Sequence, residues 1–265
     1  MQNSENCHEN VWILSGTSDG PSLAKRLLDL NYSVFASVVT FRASKSYSNH
    51  PKLHIITGKL IKREEIVEFI RKNKIKLVID ATHPFALIIS EKLKSVCNEI
   101  NTPFLVFERE SLINKSSNFH YISNLKDIDK SDLKNKNILL AIGSRSLNDT
   151  ANYYMNCGAN VFARIFPIQE SVSKAFGSCI KNSNIAILEP SKKKLCILEK
   201  QLCKFWHIDY VLCRESGSYS QKNWEEIIMG TQMKLFLVRR PESKNNKSNI
   251  FSEYQRLIDH IRRKY

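Results

Sequence analysis

The chain has 265 residues, of which 42% are hydrophobic and 25% charged, proportions that fit a folded globular protein and exclude a largely disordered one. That length allows one large domain or two of ordinary size, so a small disulfide or zinc scaffold is excluded as well. Forty Lys and Arg against 26 Asp and Glu leave a formal charge of +14, which favours anionic ligands by long-range steering without choosing among them.

In chain order, a first apolar run at 11–14 enters Ser15-Gly16-Thr17-Ser18-Asp19-Gly20-Pro21. There Ser18 or Asp19 can cap a helix, Pro21 suits its first turn, and Leu23, Leu27 and Leu30 share one face. Further strands are expected at 33–39, 53–56, 76–79 and 104–107. Between the last two, Phe85, Ile89, Leu93, Val96 and Ile100 recur at helical spacing. A polar stretch at 111–136 interrupts this alternation, which restarts with strands at 138–142, 160–165, 184–188, 210–213 and 235–238. The pattern predicts an α/β protein of two Rossmann-like, doubly wound parallel-sheet domains, at 9–125 and 126–265, with a cleft between them and a basic C-terminal segment. In such sheets ligands bind beyond the carboxyl ends of the strands, so the informative residues follow each apolar run.

Ser15 to Gly20 form a strand-to-helix turn of small residues, suited either to holding a phosphate with backbone N–H groups or simply to capping. It matches neither G-x-G-x-x-G nor G-x-x-x-x-G-K-[ST], and Asp19 suits a cap or a ribose hydroxyl better than a phosphate. Asp80-Ala81-Thr82-His83-Pro84-Phe85 closes the most apolar strand with three polar side chains. His83 can donate a hydrogen bond or titrate beside a bound ring; the plainer alternative is that Thr82 or His83 caps the next helix while Asp80 supports the turn. Arg109-Glu110 follows another strand. Arg164 lies inside one and requires a partner, either an internal carboxylate or an anionic ligand. Arg214-Glu215-Ser216-Gly217-Ser218 and Gly143-Ser144-Arg145-Ser146 provide two further polar strand ends.

Other chemistries find no support. The Tyr-x-x-x-Lys pair is missing, and the seven His residues are too dispersed for a metal site. The seven Cys form no C-x-x-C pair and their odd total fits reduced thiols, while the N-terminus lacks a basic and an apolar signal region. A cytoplasmic protein with no membrane partner is expected. The basic residues are scattered, without interleaved aromatics, so no nucleic-acid partner is expected either.

The ordered segments resemble the precorrin-6A reductases of cobalamin biosynthesis, cobalt-precorrin-6A reductases included. The resemblance rests on Ser15-Gly16-Thr17-Ser18-Asp19, Ser37-Val38-Val39-Thr40, Asp80-Ala81-Thr82-His83-Pro84-Phe85-Ala86, Phe107-Glu108-Arg109-Glu110, Ile142-Gly143-Ser144, Ala163-Arg164, Glu215-Ser216-Gly217 and Val238-Arg239-Arg240-Pro241. It implies an NAD(P)H-dependent reductase that delivers hydride to a carbon–carbon double bond of a tetrapyrrole macrocycle. The implied cofactor contacts are Gly16, Thr17, Ser18, Asp19, Thr40, Arg42, Thr82, His83, Gly143 and Ser144; the implied substrate contacts are Arg164, Arg214, Ser216 and Gly217. No catalytic side chain is required, because the cofactor carries the hydride chemistry. Arg42, after the second strand, is placed for the 2′-phosphate of NADPH, with NADH the alternative. The chain departs from the family at Glu189-Pro190-Ser191-Lys192, where Gly-Pro-Phe-Ser is usual, and at 218–224. Those departures leave a non-catalytic nucleotide-binding or regulatory protein of the same fold as the alternative.

Overall fold

The computed structural model describes residues 9–58, 62–110, 116–190, 196–241 and 247–265. Its first unit contains β1 (Asn10–Ser15), α1 (Asp19–Asp29), β2 (Ser33–Val38), α2 (Phe41–Ser44), β3 (Leu53–Thr57), α3 (Arg63–Lys72), β4 (Ile75–Ala81), α4 (Leu87–Glu99) and β5 (Phe104–Phe107). The second contains β6 (Phe119–Ile122), β7 (Asn137–Ala141), α5 (Leu147–Asn156), β8 (Asn160–Ile165), α6 (Gln169–Phe176), β9 (Ile185–Ile187), α7 (Ile197–Phe205), β10 (Tyr210–Arg214), α8 (Tyr219–Ile228) and β11 (Lys234–Val238). The chain then returns to the first unit with β12 (Ile250–Phe251) and α9 (Tyr254–Lys264).

Each unit holds a six-stranded sheet, ordered β12-β5-β4-β1-β2-β3 in the first and β6-β11-β10-β7-β8-β9 in the second. Every pairing is parallel, which explains why the central strands read as continuous apolar runs: both faces are covered. Along β1, Val11 and Ile13 pack with α1 and α9, whereas Trp12 and Leu14 pack against Ile66 and Ile70 of α3 and Leu93 and Val96 of α4. In the second sheet Leu139, Val211, Leu235 and Leu237 join Cys203 of α7 and Trp224, Ile227 and Ile228 of α8.

Counting strands in chain order within the first sheet gives 3-2-1-4-5-6, the doubly wound order, with β12 in the sixth place. The second sheet has the same plan, but its sixth place is taken by β6, which precedes the other five in sequence. Only the first sheet therefore draws its outermost strand, β12, from across a crossing of the chain; β6 lies in the same continuous segment as the rest of the second unit. The expected division at 125/126 does not follow this path. The first unit ends at Glu110 and regains Pro241–Tyr265, because β12 pairs with β5 and the apolar face of α9 (Leu257, Ile258, Ile261) enters the core around α1. The C-terminal segment belongs to the first unit and not the second.

In both sheets the chain leaves the first central strand to one side and then returns to the other, so a crevice opens where neighbouring loops run in opposite directions. It lies at the carboxyl ends of β1 and β4 in the first sheet and of β7 and β10 in the second. No helix among the described residues is long and apolar enough to cross a membrane.

Candidate active site

In the first unit the turn after β1 is fastened to the end of β4. The Gly16 N–H donates to Ala81 O at 3.3 Å, and a Cβ on Gly16 would lie 3.1 Å from the His83 backbone nitrogen. Gly20 is tighter still: a Cβ there would sit 2.0 Å from Ser15 Oγ and 2.5 Å from Tyr47 Oη. Close approach requires glycine at position 20 and makes position 16 tight, so a side chain at Gly16 would press on the neighbouring turn as well as any ligand.

Ser18 occupies the N-cap of α1, but its side chain makes no capping bond; its Oγ instead accepts from Arg109 Nη2 at 3.0 Å. Asp19, the first residue of the helix, is turned inward and is 5% exposed. Its Oδ1 accepts from Arg109 Nε (2.8 Å), Arg109 Nη2 (2.7 Å) and Tyr254 Oη (2.5 Å), and its Oδ2 accepts from Thr17 Oγ1 at 2.9 Å. Burial alone would lower the Arg109 pKa, but the Asp19 carboxylate outweighs it and the pKa is raised; burial first and then Asp19 raise that of Tyr254.

The turn after β4 is built by its own side chains. Thr82 N–H donates to Asp80 Oδ1 at 2.9 Å, Phe85 N–H donates to His83 Nδ1 at 3.3 Å, and Ala86 N–H closes the turn on His83 O at 2.7 Å. Helix α4 starts only at Leu87, with Ala86 at its N-cap, so neither Thr82 nor His83 caps it. Asp80 supports the turn as the plainer reading has it. Thr82 Oγ1 reaches Ser90 Oγ on α4 at 3.1 Å. At the end of β2, Thr40 caps the short α2 by accepting from Ala43 N–H at 3.2 Å, and Arg42 beside it is exposed. Val39, Phe41 and Ile88 at this edge are exposed apolar side chains.

In the second unit the carboxyl end of β7 carries Gly143 at φ +79°, followed by Ser144, whose Oγ bonds Ser171 Oγ at 3.2 Å. Across the crevice Arg214, the last residue of β10, donates from Nη2 to Ser146 Oγ at 3.0 Å. Burial lowers the Arg214 pKa, and the neighbouring Arg145 guanidinium lowers it further, so two cations share this edge. The loop that follows is closed from within: Gln221 Oε1 accepts from the N–H groups of Ser216 and Gly217, both at 2.8 Å, and Gln221 Nε2 donates to Glu225 Oε1. Buried Glu215 accepts from Arg240 N–H at 3.0 Å.

Arg164 is 8% exposed; its Nη2 donates to Ser220 Oγ at 3.3 Å and its guanidinium lies 5.8 Å from the centre of the Trp224 ring. Its Nε is buried without a hydrogen-bond partner, and burial lowers its pKa against the opposing pull of Glu199. Its contacts are thus internal ones. Among the described residues no group of three or more His, Cys, Asp or Glu could hold a metal ion.

A family model for precorrin-6x reductase CbiJ/CobK matches residues 10–262, nearly the whole chain. The chain belongs to the precorrin-6x reductase family. Similar members of that family are cobalt-precorrin-6A reductases from Synechocystis sp. (28% identical, covering 78% of this chain and 79% of the relative) and Methanocaldococcus jannaschii (26% identical, covering 95% and 98%). A solved structure of CobK precorrin-6A reductase shares the fold at a TM-score of 0.76 with 16% identity, covering 96% of both chains.

Within this reductase-family fold, the first unit gathers Gly16, Thr17, Ser18, Asp19, Thr82 and His83 at one crevice, with Thr40 and Arg42 at the end of the adjacent β2. The second gathers Gly143, Ser144 and Arg214 at the other. Of the two segments that depart from the family, Ser191 and Lys192 lie outside the described residues; 218–224 forms the start of α8 and supplies Ser220, Gln221 and Trp224 to the contacts above. Sequence reasoning missed Tyr254, Arg145 and Tyr47 as neighbours of these turns. Arg145 stands within a segment already read as a strand end; Tyr254 is 235 positions from Asp19 and carries no local signal.

Proposed function

We propose that the protein reduces a carbon–carbon double bond of precorrin-6A or cobalt-precorrin-6A with NADPH or NADH, in cobalamin biosynthesis. The observation that carries this reading is the family match across residues 10–262, together with a β1–α1 turn whose features suit a dinucleotide diphosphate. Those features are an N-cap side chain that does not cap, an acid turned inward, and two closely approached glycines, of which Gly20 leaves no room for a side chain. When bound, the nicotinamide supplies the hydride; the chain's own work is to bind, orient and exclude water.

In this reading Gly16, Thr17, Ser18 and Asp19 form the diphosphate turn, and Thr82 and His83 lie toward the reacting rings. Exposed Val39, Phe41 and Ile88 give that edge an apolar rim. Arg42 beyond β2 meets the 2′-phosphate, which favours NADPH. In the second unit, Gly143 and Ser144 are the residues assigned to the cofactor. Arg214, with Arg145 beside it, offers charge-assisted hydrogen bonds to macrocycle carboxylates. Ser216 and Gly217 shape that edge with their N–H groups held by Gln221, and Arg164 supports it through Ser220 and Trp224.

Anaerobic assays of the purified protein with both macrocycles and both cofactors test the reaction. Oxidation of NADPH that depends on macrocycle is expected; nucleotide binding without turnover would favour the non-catalytic alternative. Ser18→Glu tests the turn: Ser18 is exposed, so the fold should be kept while the added carboxylate raises the NADPH Kd about tenfold or more. Arg42→Ala should erase the preference for NADPH over NADH.

A further inference from the structure

The C-terminal helix is built into the turn that the proposed function assigns to the cofactor. Tyr254 opens α9, its ring stacked on Phe107 of β5 (4.6 Å between centres, 12° between planes) with the Arg26 guanidinium 5.0 Å from the ring centre. From that seat its hydroxyl donates to Asp19 Oδ1 at 2.5 Å, beside the two bonds from Arg109. An acid at the first position of a helix is favourable by itself, yet it competes with any anion for the same N–H groups and the same positive end of the dipole. Here the carboxylate is occupied on both oxygens from the interior side, and Arg109 extends past it to Ser18 Oγ with its side chain 29% exposed.

We propose that Arg109 and Tyr254 are positioning residues of the dinucleotide site: they hold Asp19 inward and neutralised, so that the start of α1 accepts a diphosphate. The inference rests on the reading of the β1–α1 turn as the diphosphate site. It makes α9, which reaches the first unit only after the chain has traversed the second, a working part of that site. Cofactor binding and the docking of α9 are then linked, and each must stabilise the other by the same factor.

The test is NADPH affinity, read by fluorescence titration, for Arg109→Gln, Tyr254→Phe, Asp19→Asn and the Arg109→Gln/Asp19→Asn pair. Loss of Arg109 leaves the carboxylate unbalanced, so the Kd should rise about tenfold, with KM for NADPH rising more than kcat falls. Replacing Asp19 by the neutral amide in the same protein should recover most of that loss. A merely structural role predicts the reverse, a pair worse than either single variant, and that result overturns the inference. If Arg109→Gln does not fold, Tyr254→Phe, which deletes one hydroxyl, carries the test: a Kd raised about threefold is expected, and an unchanged Kd overturns it. Hydrogen exchange in α9 should slow when the wild-type protein is saturated with NADPH, and equal exchange would show that no linkage exists. Ser18→Glu separates the two readings. If it weakens NADPH binding while Arg109→Gln does not, the positioning role alone fails; if neither does, the turn is not the diphosphate site and both fail.

Discussion

The first sheet finishes its crevice with backbone and small groups, and the second finishes the same topological position with cations. Beyond β1 and β4 two turns approach so closely that Gly16 abuts the His83 nitrogen; Asp80 is tied up by the Thr82 N–H, and Asp19 is drawn inward by Arg109 and Tyr254. Beyond β7 and β10 the Gly143 turn is open, a Cβ there meeting nothing within 4 Å, and Arg214 reaches across to Ser146 with Arg145 adding like charge. One strand plan thus carries two differently furnished strand ends. Under the proposed function, closely packed N–H donors suit a diphosphate, whose charge is met by a helix dipole, and guanidinium forks suit carboxylates on a large flat ring.

Glycine substitutions give the sharpest contrast. Gly20→Ala should cost about 3 kcal/mol of stability, because the new methyl would overlap Ser15 and Tyr47 in a packed turn. Gly143→Ala meets open space and should cost only about 1 kcal/mol, from placing a side chain at φ +79°. Urea unfolding of both variants measures this, and equal losses would mean the two turns are not differently packed. The arginines of the second unit should separate in kind. Arg164→Ala, which removes a buried side chain from Trp224 and Ser220, should lose about 2 kcal/mol of stability. Arg214→Ala should lose under about 1 kcal/mol while macrocycle affinity drops roughly tenfold, the loss of one charge-assisted bond. Macrocycle binding weakened more by Arg164→Ala than by Arg214→Ala would reverse these assignments.

Ten of the twelve strands among the described residues were legible as apolar runs: central parallel strands covered on both faces leave little room for polar residues, and the partly exposed edge strands β3 and β9 are short apolar runs all the same. The two missed strands are those in the sixth place of each sheet. β6 has only Phe119 fully buried, alternates with a half-exposed His120 and sits inside a stretch rich in Asn, Asp and Lys; β12 is two residues long. Missing β6 put the division after it, and missing β12 left the C-terminal helix with no sheet to return to. The turns were readable for a related reason: small and polar residues directly after an apolar strand identify a carboxyl end. What lies behind such a turn is not local. Neither spacing nor composition could bring Tyr254 to Asp19, and the start of α4 three residues beyond Pro84 follows from Asp80 and His83 folding the turn on themselves.

The sixth-place strands β6 and β12 also predict the smallest effect, a shared sensitivity to acid. A histidine ring lies against an aromatic ring at each: His120 of β6 is stacked on Phe236, 5.0 Å between centres, and His260 of α9 meets Phe251 of β12 at 4.9 Å with the rings tilted by 54°. Both pKa values are lowered from 6.5, His120 by burial and then Lys234, His260 by burial and then Lys264 and Arg263. His120 Nε2 is buried without a hydrogen-bond partner, so a proton there gains no acceptor. Because the folded protein favours the neutral ring, the unfolded chain binds more protons just below pH 6.5, and stability must fall as pH drops through that window. The contribution is complete above pH 6.5 and is lost once the medium is more acid than the folded pKa. Replacing either histidine by glutamine should flatten this part of the stability–pH curve by a small amount, since burial and then cationic neighbours lower both pKa values. A flattening confined to His120→Gln would show that only the sixth strand of the second sheet is held by an uncharged ring, and that the two sheets are alike in strand order but not in how that strand is secured.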